Sequence, residues 1–279
     1  MFKSSRKKLI AIGCSYTEDW NSFPAWPTVL AEKLDMDCVN LGKSGAGNDQ
    51  ILARTVDTVI FADGVARINK KDIGLVVLMW SEWQRLGFQQ SPSDWNHWWH
   101  IQPMRHNLPP SNTKSVYKLT INDWAPYLFA AQNPHHITQH TFRNFIHAEK
   151  ILQGIPHLYV QGCLGITWYN LKTLKNIDCG ENTENAHLSF YDVNNSRKEV
   201  AKEMIRSPYF NYLENNISKH FIGWPIMPEI GGYSIDDIFD KIDEARLKFR
   251  ISKKDTHPND AGHKFMAQEI YDAYEKIYT

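Results

Sequence analysis

Short runs of apolar residues alternate along the chain with longer segments in which apolar residues recur at helical spacing. Four of the short runs are rich in residues that favour β-structure and are predicted to be buried strands: 8–13, 37–41, 73–79 and 157–162. Strands that alternate with helices are typical of a parallel sheet covered by helices on both faces. The pattern therefore predicts a three-layer α/β/α fold with a flavodoxin-like order of strands.

Helical periodicity predicts the elements between these strands. Pro27 suits the first turn of a helix that would turn Val29, Leu30 and Leu34 inward. The next helix is predicted to bury a stripe made of Leu52, Val56, Val59 and Ile60. The clearest helix is the last, which follows a turn at 259–262 and is predicted to pack Met266, Ile270, Ala273 and Ile277 on the sheet.

Two stretches interrupt the alternation and are predicted to be insertions into a single domain that spans 1–279, although a separate second domain remains an alternative. Residues 88–136 are rich in tryptophan and proline but poor in charge, which favours an aromatic lid over one face. Residues 164–246 are predicted to hold loops and two helices. Ser196 with Glu199 would open the first helix and Pro208 would close it, while Ser234 with Asp237 would open the second.

Composition and charge narrow the classes of partner. Lysine plus arginine number 31, aspartate plus glutamate also number 31, and the net charge is zero, so nucleic acid is not expected as a partner. No apolar run reaches the roughly 18 residues that span a bilayer, and the apolar stretch after Lys8 is too short for a signal peptide. The four cysteines are too irregularly spaced for a disulfide framework, which favours a cytoplasmic location. The oligomeric state is left open.

Three turns carry residues that could perform chemistry. Ser15 follows the first predicted strand within Gly-Cys-Ser-Tyr-Thr, and a glycine-rich turn containing Gly45 follows the second. Ligands of open α/β sheets bind where strands end, and a glycine-rich turn can aim backbone N–H groups at an anion. Near the other end of the chain, Asp255 precedes His257 in a turn stiffened by Pro258. An aspartate beside a histidine suits a base that activates a serine.

Taken together, the three turns resemble the motifs of the SGNH hydrolase superfamily, also called GDSL esterases and lipases. Ser15 matches the nucleophile block, and Asn40 with Gly45 reproduces the second block. The last block is matched by His257, Pro258, Asn259, Gly262 and His263. The resemblance implies a serine esterase that needs no cofactor and acts on a small-molecule or carbohydrate ester. It also implies that Ser15 attacks the ester, that His257 is the base, and that the N–H groups of Ser15 and Gly45 form an oxyanion hole.

The chain departs from the SGNH pattern at two places. The third block usually supplies an asparagine as an oxyanion donor, but here the strand runs into Trp80, Ser81 and Glu82, so Ser81 is predicted to replace it. The family also commonly has two residues between the aspartate and the histidine, and this chain has one. Either Asp255 orients His257 from a tighter turn, or a carbonyl group takes that role.

The remaining candidates concern substrate and metal binding. Trp80, Trp98 and Trp99 are predicted to bind substrate, and the charge-poor aromatic lid favours an acylated carbohydrate. Seven histidines lie between His97 and His147, but there is no helical His-Glu-x-x-His arrangement and no nearby carboxylate set beyond Asp94 and Asp123, so no metal is predicted. Two alternatives remain: a non-catalytic SGNH-like binding or structural module, and, more remotely, a flavodoxin-like nucleotide binder.

Overall fold

The computed structural model describes residues 6–60, 68–89, 98–101, 106–107, 132–164, 193–243, 247–252 and 255–279. The strands are β1 (Lys8–Ile12), β2 (Asp37–Asn40), β3 (Ile73–Trp80), β4 (Leu86–Gln89), β5 (Trp98–Ile101), β6 (His106–Asn107), β7 (His157–Gln161) and β8 (Phe221–Ile222). The helices are α1 (Trp26–Lys33), α2 (Asn48–Val59), α3 (Pro134–Leu152), α4 (Val193–Arg206), α5 (Pro208–Asn216), α6 (Ile235–Ile242) and α7 (Asp260–Tyr278).

The main sheet has five parallel strands in the order β2-β1-β3-β7-β8. Renumbered within the sheet, this is the 2-1-3-4-5 order of flavodoxin-like folds. Because parallel crossovers are right-handed, α1 and α2 leave the sheet toward opposite faces. Helix α7 packs on α1 and helix α3 packs on α2, which completes the three layers. The predicted fold class is confirmed.

The four predicted strands are present, with ends that differ from the predicted ones by one residue at most. Burial explains why they could be read from sequence, since Leu9 to Ile12 and Leu75 to Trp80 have no exposed surface. Strand β8 was not predicted because it is only two residues long, Phe221 and Ile222, and so offers no periodicity. The smaller sheet, β4-β5-β6, is antiparallel and was not predicted either.

Helix α2 buries a different face from the predicted one. Of the predicted stripe, only Val59 is buried, and Ile60 is 56% exposed. The buried face is instead largely polar and contains Gln50, Ile51, Arg54, Thr55 and Thr58. Hydrogen bonds make this burial possible, because the Arg54 guanidinium donates to the Leu41 carbonyl and the Thr55 hydroxyl donates to the Ile51 carbonyl.

One of the two helices predicted in 164–246 begins at a different residue from the predicted one. Helix α4 begins at Val193, so Ser196 lies inside the helix, and the predicted capping box at Ser196 is wrong. Pro208 opens α5, which was not predicted, and the Ser207 side chain caps that helix. The capping box of Ser234 and Asp237 at the start of α6 is confirmed.

The structure describes only part of the two predicted insertions. Positions 90–97, 102–105, 108–131 and 165–192 lie outside the described residues, so the lid and the loop predicted there stay predictions. The second stretch also contains β8, which belongs to the main sheet. Among the helices that the structure describes, none is both long and apolar enough to cross a membrane.

His263 joins the first and last helices. It is 1% exposed, and its Nδ1 accepts the backbone N–H of Trp26 at 3.1 Å. This accepted hydrogen bond requires an unprotonated Nδ1. Burial is the main reason why the pKa of His263 is lowered from 6.5 to about 4.

We expect this histidine to make folding stability depend on pH. The unfolded chain takes up a proton near pH 6.5, whereas folded His263 resists protonation until about pH 4. Its contribution is therefore complete above pH 6.5 and decreases by roughly 3 kcal/mol as the pH falls toward 4. The variant His263→Asn keeps an acceptor for Trp26. In that pH window, its unfolding free energy should depend less steeply on pH, by the slope that corresponds to about one bound proton. The same measurement on His135→Asn, an exposed site, should match the unchanged chain; an unchanged slope in His263→Asn would contradict the assignment.

Candidate active site

Ser15 lies in a tight turn at the carboxyl end of β1. The N–H groups of Thr17 and Glu18 donate to the Cys14 carbonyl, which closes the turn. Gly13 is required by this geometry, because a Cβ at that position would lie 2.2 Å from the Thr17 hydroxyl oxygen. Cys14 is fully buried, whereas Ser15 retains 7% exposure. The turn therefore presents the serine at the edge of the sheet.

The turn after β2 lies against the turn that carries Ser15. The Asn40 side chain bridges them, since its Nδ2 donates to the Thr17 carbonyl at 2.6 Å and its Oδ1 accepts the Gly42 N–H at 2.9 Å. The Glu18 carboxylate adds a second bridge by accepting from the Ser44 N–H and the Lys43 ammonium. The two turns therefore hold a fixed spacing.

His257 is presented by a hairpin-like segment just before α7. Asn259 N–H donates to the Phe249 carbonyl, and Ile251 N–H donates to the His257 carbonyl, so the two arms run side by side. The N–H of Asp255 donates to the Ser252 hydroxyl within the connection. Asn259 then caps α7 by accepting the Gly262 N–H. These bonds define the position of the histidine backbone.

The three predicted catalytic side chains meet at this edge. Ser15 Oγ lies 2.9 Å from His257 Nε2, and His257 Nδ1 lies 2.6 Å from Asp255 Oδ1. An ionised carboxylate only accepts hydrogen bonds, so Nδ1 carries the ring proton and Nε2 is left to accept the serine hydroxyl proton. This is the arrangement in which a histidine can activate a serine. It also shows that the Asp255 side chain, rather than a carbonyl group, contacts the ring.

Two aromatic side chains flank the His257 ring and were not predicted to belong to the site. Tyr16 and Trp20 present their rings to it at centroid distances of 5.7 Å and 5.3 Å, both in edge arrangements. The Trp20 indole N–H also donates to the Ser15 carbonyl at 3.1 Å. Because Trp20 is 45% exposed, it offers an aromatic surface directly beside the serine.

A polar network under Tyr16 connects the serine turn to α6 and to the histidine segment. The Tyr16 hydroxyl lies 2.9 Å from Asp236 Oδ1 and 3.2 Å from the Thr256 carbonyl. Arg250 also donates to Asp236 Oδ1 at 3.1 Å. Burial raises the pKa of Asp236 to about 6, although the Arg250 guanidinium and the Tyr16 hydroxyl oppose that rise. Sequence could not reveal this network, because neither local spacing nor a motif joins its members.

Backbone donors are available next to the serine. Among the described residues, no acceptor takes up the N–H of Ser15 or of Gly45. Gly45 has a φ of +81°, and His100 of β5 lies against it. His100 Nε2 lies 2.6 Å from Gln50 Oε1, and burial is the main reason why the pKa of His100 is lowered to about 4. Strand β5 therefore reaches the glycine turn, as part of a lid would.

Two predicted site residues belong to the interior instead. Ser81 has no exposed surface; its N–H donates to Asn48 Oδ1 at 2.9 Å, and its hydroxyl lies 3.8 Å from the Cys163 sulfur. Its prediction as an oxyanion donor is therefore wrong. Trp80 is also fully buried and packs on Phe145, so its prediction as a substrate-binding residue is wrong for the same reason.

The other two predicted substrate-binding tryptophans lie on β5. Trp98 is half-buried, and a Cβ at Gly87 of β4 would lie 3.2 Å from its ring. The side chain of Trp99 is outside the described residues. Their predicted contact with substrate stays a prediction.

Comparisons with known proteins find similar folds at low sequence identity. A member of the lipolytic protein G-D-S-L family from Veillonella parvula has a TM-score of 0.44 and 9% identity, with 98% of each chain covered. A catalytic mutant of an acetylxylan esterase from Geobacillus stearothermophilus has a TM-score of 0.44 and 10% identity, covering 96% of this chain and 93% of that one. A GDSL-like lipase from Bacteroides thetaiotaomicron has a TM-score of 0.41 and 14% identity, covering 97% and 88%.

No protein-family model matches the chain, and no curated protein matches it either. Assignment of an activity therefore depends on the geometry of the site.

We expect Gly45→Ala to destabilise the protein more than Gly154→Ala. Both glycines have a φ near +80°, where a side chain costs roughly 1 kcal/mol or more. A Cβ at Gly154 meets nothing within 4 Å, whereas a Cβ at Gly45 would lie 2.7 Å from His100 Nδ1. Denaturant unfolding of both variants measures the difference. Equal losses would show that His100 does not pack on the turn in solution, and His100→Ala should recover part of the loss in Gly45→Ala.

Proposed function

We propose that this protein is a serine ester hydrolase of the SGNH type. The observation that carries the proposal is the continuous chain of short contacts from Ser15 through His257 to Asp255, at 2.9 Å and 2.6 Å. Its position supports the proposal as well, because ligands of open α/β sheets bind beyond the carboxyl ends of the strands. The motifs that resemble those of SGNH hydrolases contain Ser15 and His257, and Asp255 lies two positions before His257.

The proposed reaction proceeds through an acyl-enzyme. Ser15 Oγ attacks the ester carbonyl while His257 Nε2 takes the hydroxyl proton, and Asp255 stabilises the imidazolium that forms. Collapse of the tetrahedral intermediate expels the alcohol, which receives the proton from His257. Water, activated by the same nitrogen, then releases the acid and restores Ser15. None of these steps requires a cofactor.

The N–H groups of Ser15 and Gly45 are proposed to stabilise the oxyanion. Their freedom from other acceptors in the described part of the chain supports this role. With Ser81 buried and engaged, no third donor is assigned. Loss of one oxyanion donor raises the activation free energy by roughly 3 kcal/mol, which lowers the rate about a hundredfold. The remaining groups can therefore still provide substantial catalysis.

An O-acylated carbohydrate is the proposed class of substrate. Trp20 supports this choice, because an exposed indole beside the nucleophile can stack on the apolar face of a sugar ring. The tryptophan-rich composition of 88–136 supports it too. Contacts of this kind bind the alcohol part of the ester, away from the carbonyl group that reacts.

The proposed nucleophile can be tested with a fluorophosphonate probe, which phosphonylates an activated serine. We expect labelling at Ser15, identified by peptide mass spectrometry. Ser15→Ala and His257→Ala should each abolish labelling and lower ester hydrolysis by about 10⁴-fold or more, since the two residues act as one unit. Matched controls are Ser218→Ala and His135→Ala, which remove the same residue types away from the site.

A folded protein whose Ser15 stays unlabelled would refute the hydrolase and favour the non-catalytic binding module. Circular dichroism on each variant separates that outcome from a failure to fold.

Trp20 tests the proposed class of substrate. In Trp20→Ala, kcat/KM for an O-acetylated oligosaccharide should fall roughly three- to tenfold more than kcat/KM for a small acetyl ester, because only the sugar loses its stacking surface. Trp20→Phe, which keeps a ring but lacks the N–H donor, should retain most of that preference. If Trp20→Ala lowered kcat/KM equally for both substrates, Trp20 would act only by positioning Ser15 and His257.

A further inference from the structure

A second cluster of functional side chains lies at the opposite edge of the main sheet. Glu149 lies near the end of α3, His157 is the first residue of β7, and His220 ends the short 3₁₀-helix Ser218–His220. Because the strands are parallel, the start of β7 and the carboxyl end of β1 are at opposite edges. The cluster is therefore separate from the Ser15 site.

The donor atoms of the three side chains converge on one point. Glu149 Oε2 lies 2.9 Å from His157 Nε2 and 3.6 Å from His220 Nδ1, and all three donor atoms lie within 4.8 Å of one another. Ligands bound tetrahedrally to one zinc ion at about 2.0–2.2 Å are roughly 3.4 Å apart. Small side-chain adjustments would therefore bring these atoms to ligand distances.

In a neutral His157 ring, hydrogen bonding leaves the nitrogen that faces Glu149 without a proton. His157 Nδ1 lies 2.7 Å from the Ile155 carbonyl oxygen, which can only accept, so Nδ1 carries the proton of a neutral ring. Nε2 then directs a lone pair at a carboxylate oxygen 2.9 Å away. Two acceptors at this distance repel each other unless a cation, either a metal ion or a second ring proton, lies between them.

His220 distinguishes between a metal ion and a second ring proton on His157. Its Nδ1 is buried and has no hydrogen-bond partner among the described residues, although it is directed at the same carboxylate from 3.6 Å. A second proton on His157 would satisfy Glu149 but would leave this nitrogen unpaired. A metal ion would satisfy all three groups.

The surroundings of the cluster resemble the outer shell of a metal site. Tyr159 Oη donates to Glu149 Oε2 at 3.1 Å, and Tyr278 Oη exchanges hydrogen bonds with both backbone groups of His157 at 2.8 Å and 2.9 Å. Such contacts orient ligands before a metal binds. The side chains of Glu149 and His220 remain 17% and 12% exposed, which leaves water access for a fourth ligand.

We propose that Glu149, His157 and His220 form a site for one divalent transition-metal ion, with Zn²⁺ as the ion that this ligand set suits best. Two imidazoles and a carboxylate with an open fourth position are a known zinc ligand set. The site would tie α3, β7 and the segment before β8 together. The site could not be predicted from sequence, because the three residues come from separate elements with no metal-binding spacing.

The test uses the full chain, freed of any affinity tag and treated with a chelator. Calorimetric titration with Zn²⁺ should give one ion per chain, and Zn²⁺ should raise the melting temperature. Co²⁺ should produce the visible absorption bands of a tetrahedral complex. Glu149→Gln and His220→Phe, which preserve side-chain shape, should each weaken Zn²⁺ binding by roughly 100-fold or more.

His135→Phe is the matched control, because it removes an exposed histidine that pairs with one carboxylate, Glu203, at 3.2 Å. It should bind Zn²⁺ as the unchanged chain does. If the unchanged chain bound no stoichiometric Zn²⁺, the site would be overturned in favour of a plain ion pair. The same would follow if Glu149→Gln and His220→Phe bound Zn²⁺ as tightly as the unchanged chain. The Co²⁺ spectrum of the unchanged chain decides the question even if a variant fails to fold.

Discussion

The interior position of β1 in the main sheet is the constraint on which the site depends. This strand pairs with β2 on one side and β3 on the other, and its residues from Leu9 to Ile12 are fully buried. Its register therefore cannot slip without moving apolar side chains out of the core. Ser15 inherits that rigidity, because only a tight turn separates it from the end of the strand. A serine side chain held in this way needs little reorganisation to adopt a reactive geometry.

His257 is positioned beside Ser15 by tertiary contacts, since 242 positions of sequence separate the two residues. Its hairpin-like segment is anchored to the serine turn through Tyr16 and to α6 through Arg250 and Asp236. The anchors are polar and partly buried, so each depends on the others for hydrogen bonding. Positioning of His257 is therefore a property of the network rather than of one contact.

The parts that sequence could predict are those encoded locally. Buried strands reveal themselves as apolar runs, and the turn motifs of Ser15, Gly45 and His257 are contiguous in the chain. The predictions failed where tertiary contacts override local pattern. Trp80 ends β3 and Ser81 follows it, yet both side chains are buried in the core. Helix α2 buries polar groups such as Arg54, because the Leu41 carbonyl accepts a hydrogen bond from the Arg54 guanidinium. The contact of Trp20 with His257 and the Glu149 cluster are invisible in sequence, since His257 is distant from Trp20 and His220 is distant from Glu149.

The spacing of Asp255 and His257 has a consequence for how the imidazole ring is held. One carboxylate oxygen of Asp255 accepts both the ring N–H and the backbone N–H of His257, at 2.6 Å and 3.1 Å. The Asp255 carboxylate therefore contacts His257 at two points, the ring and the backbone, and the hydrogen bonds close a loop of three residues. Closing so short a loop costs little chain entropy, so the ring orientation is encoded within three consecutive residues. Asp255 and His257 therefore set the ring orientation locally, and the rest of the fold has to place this segment beside Ser15.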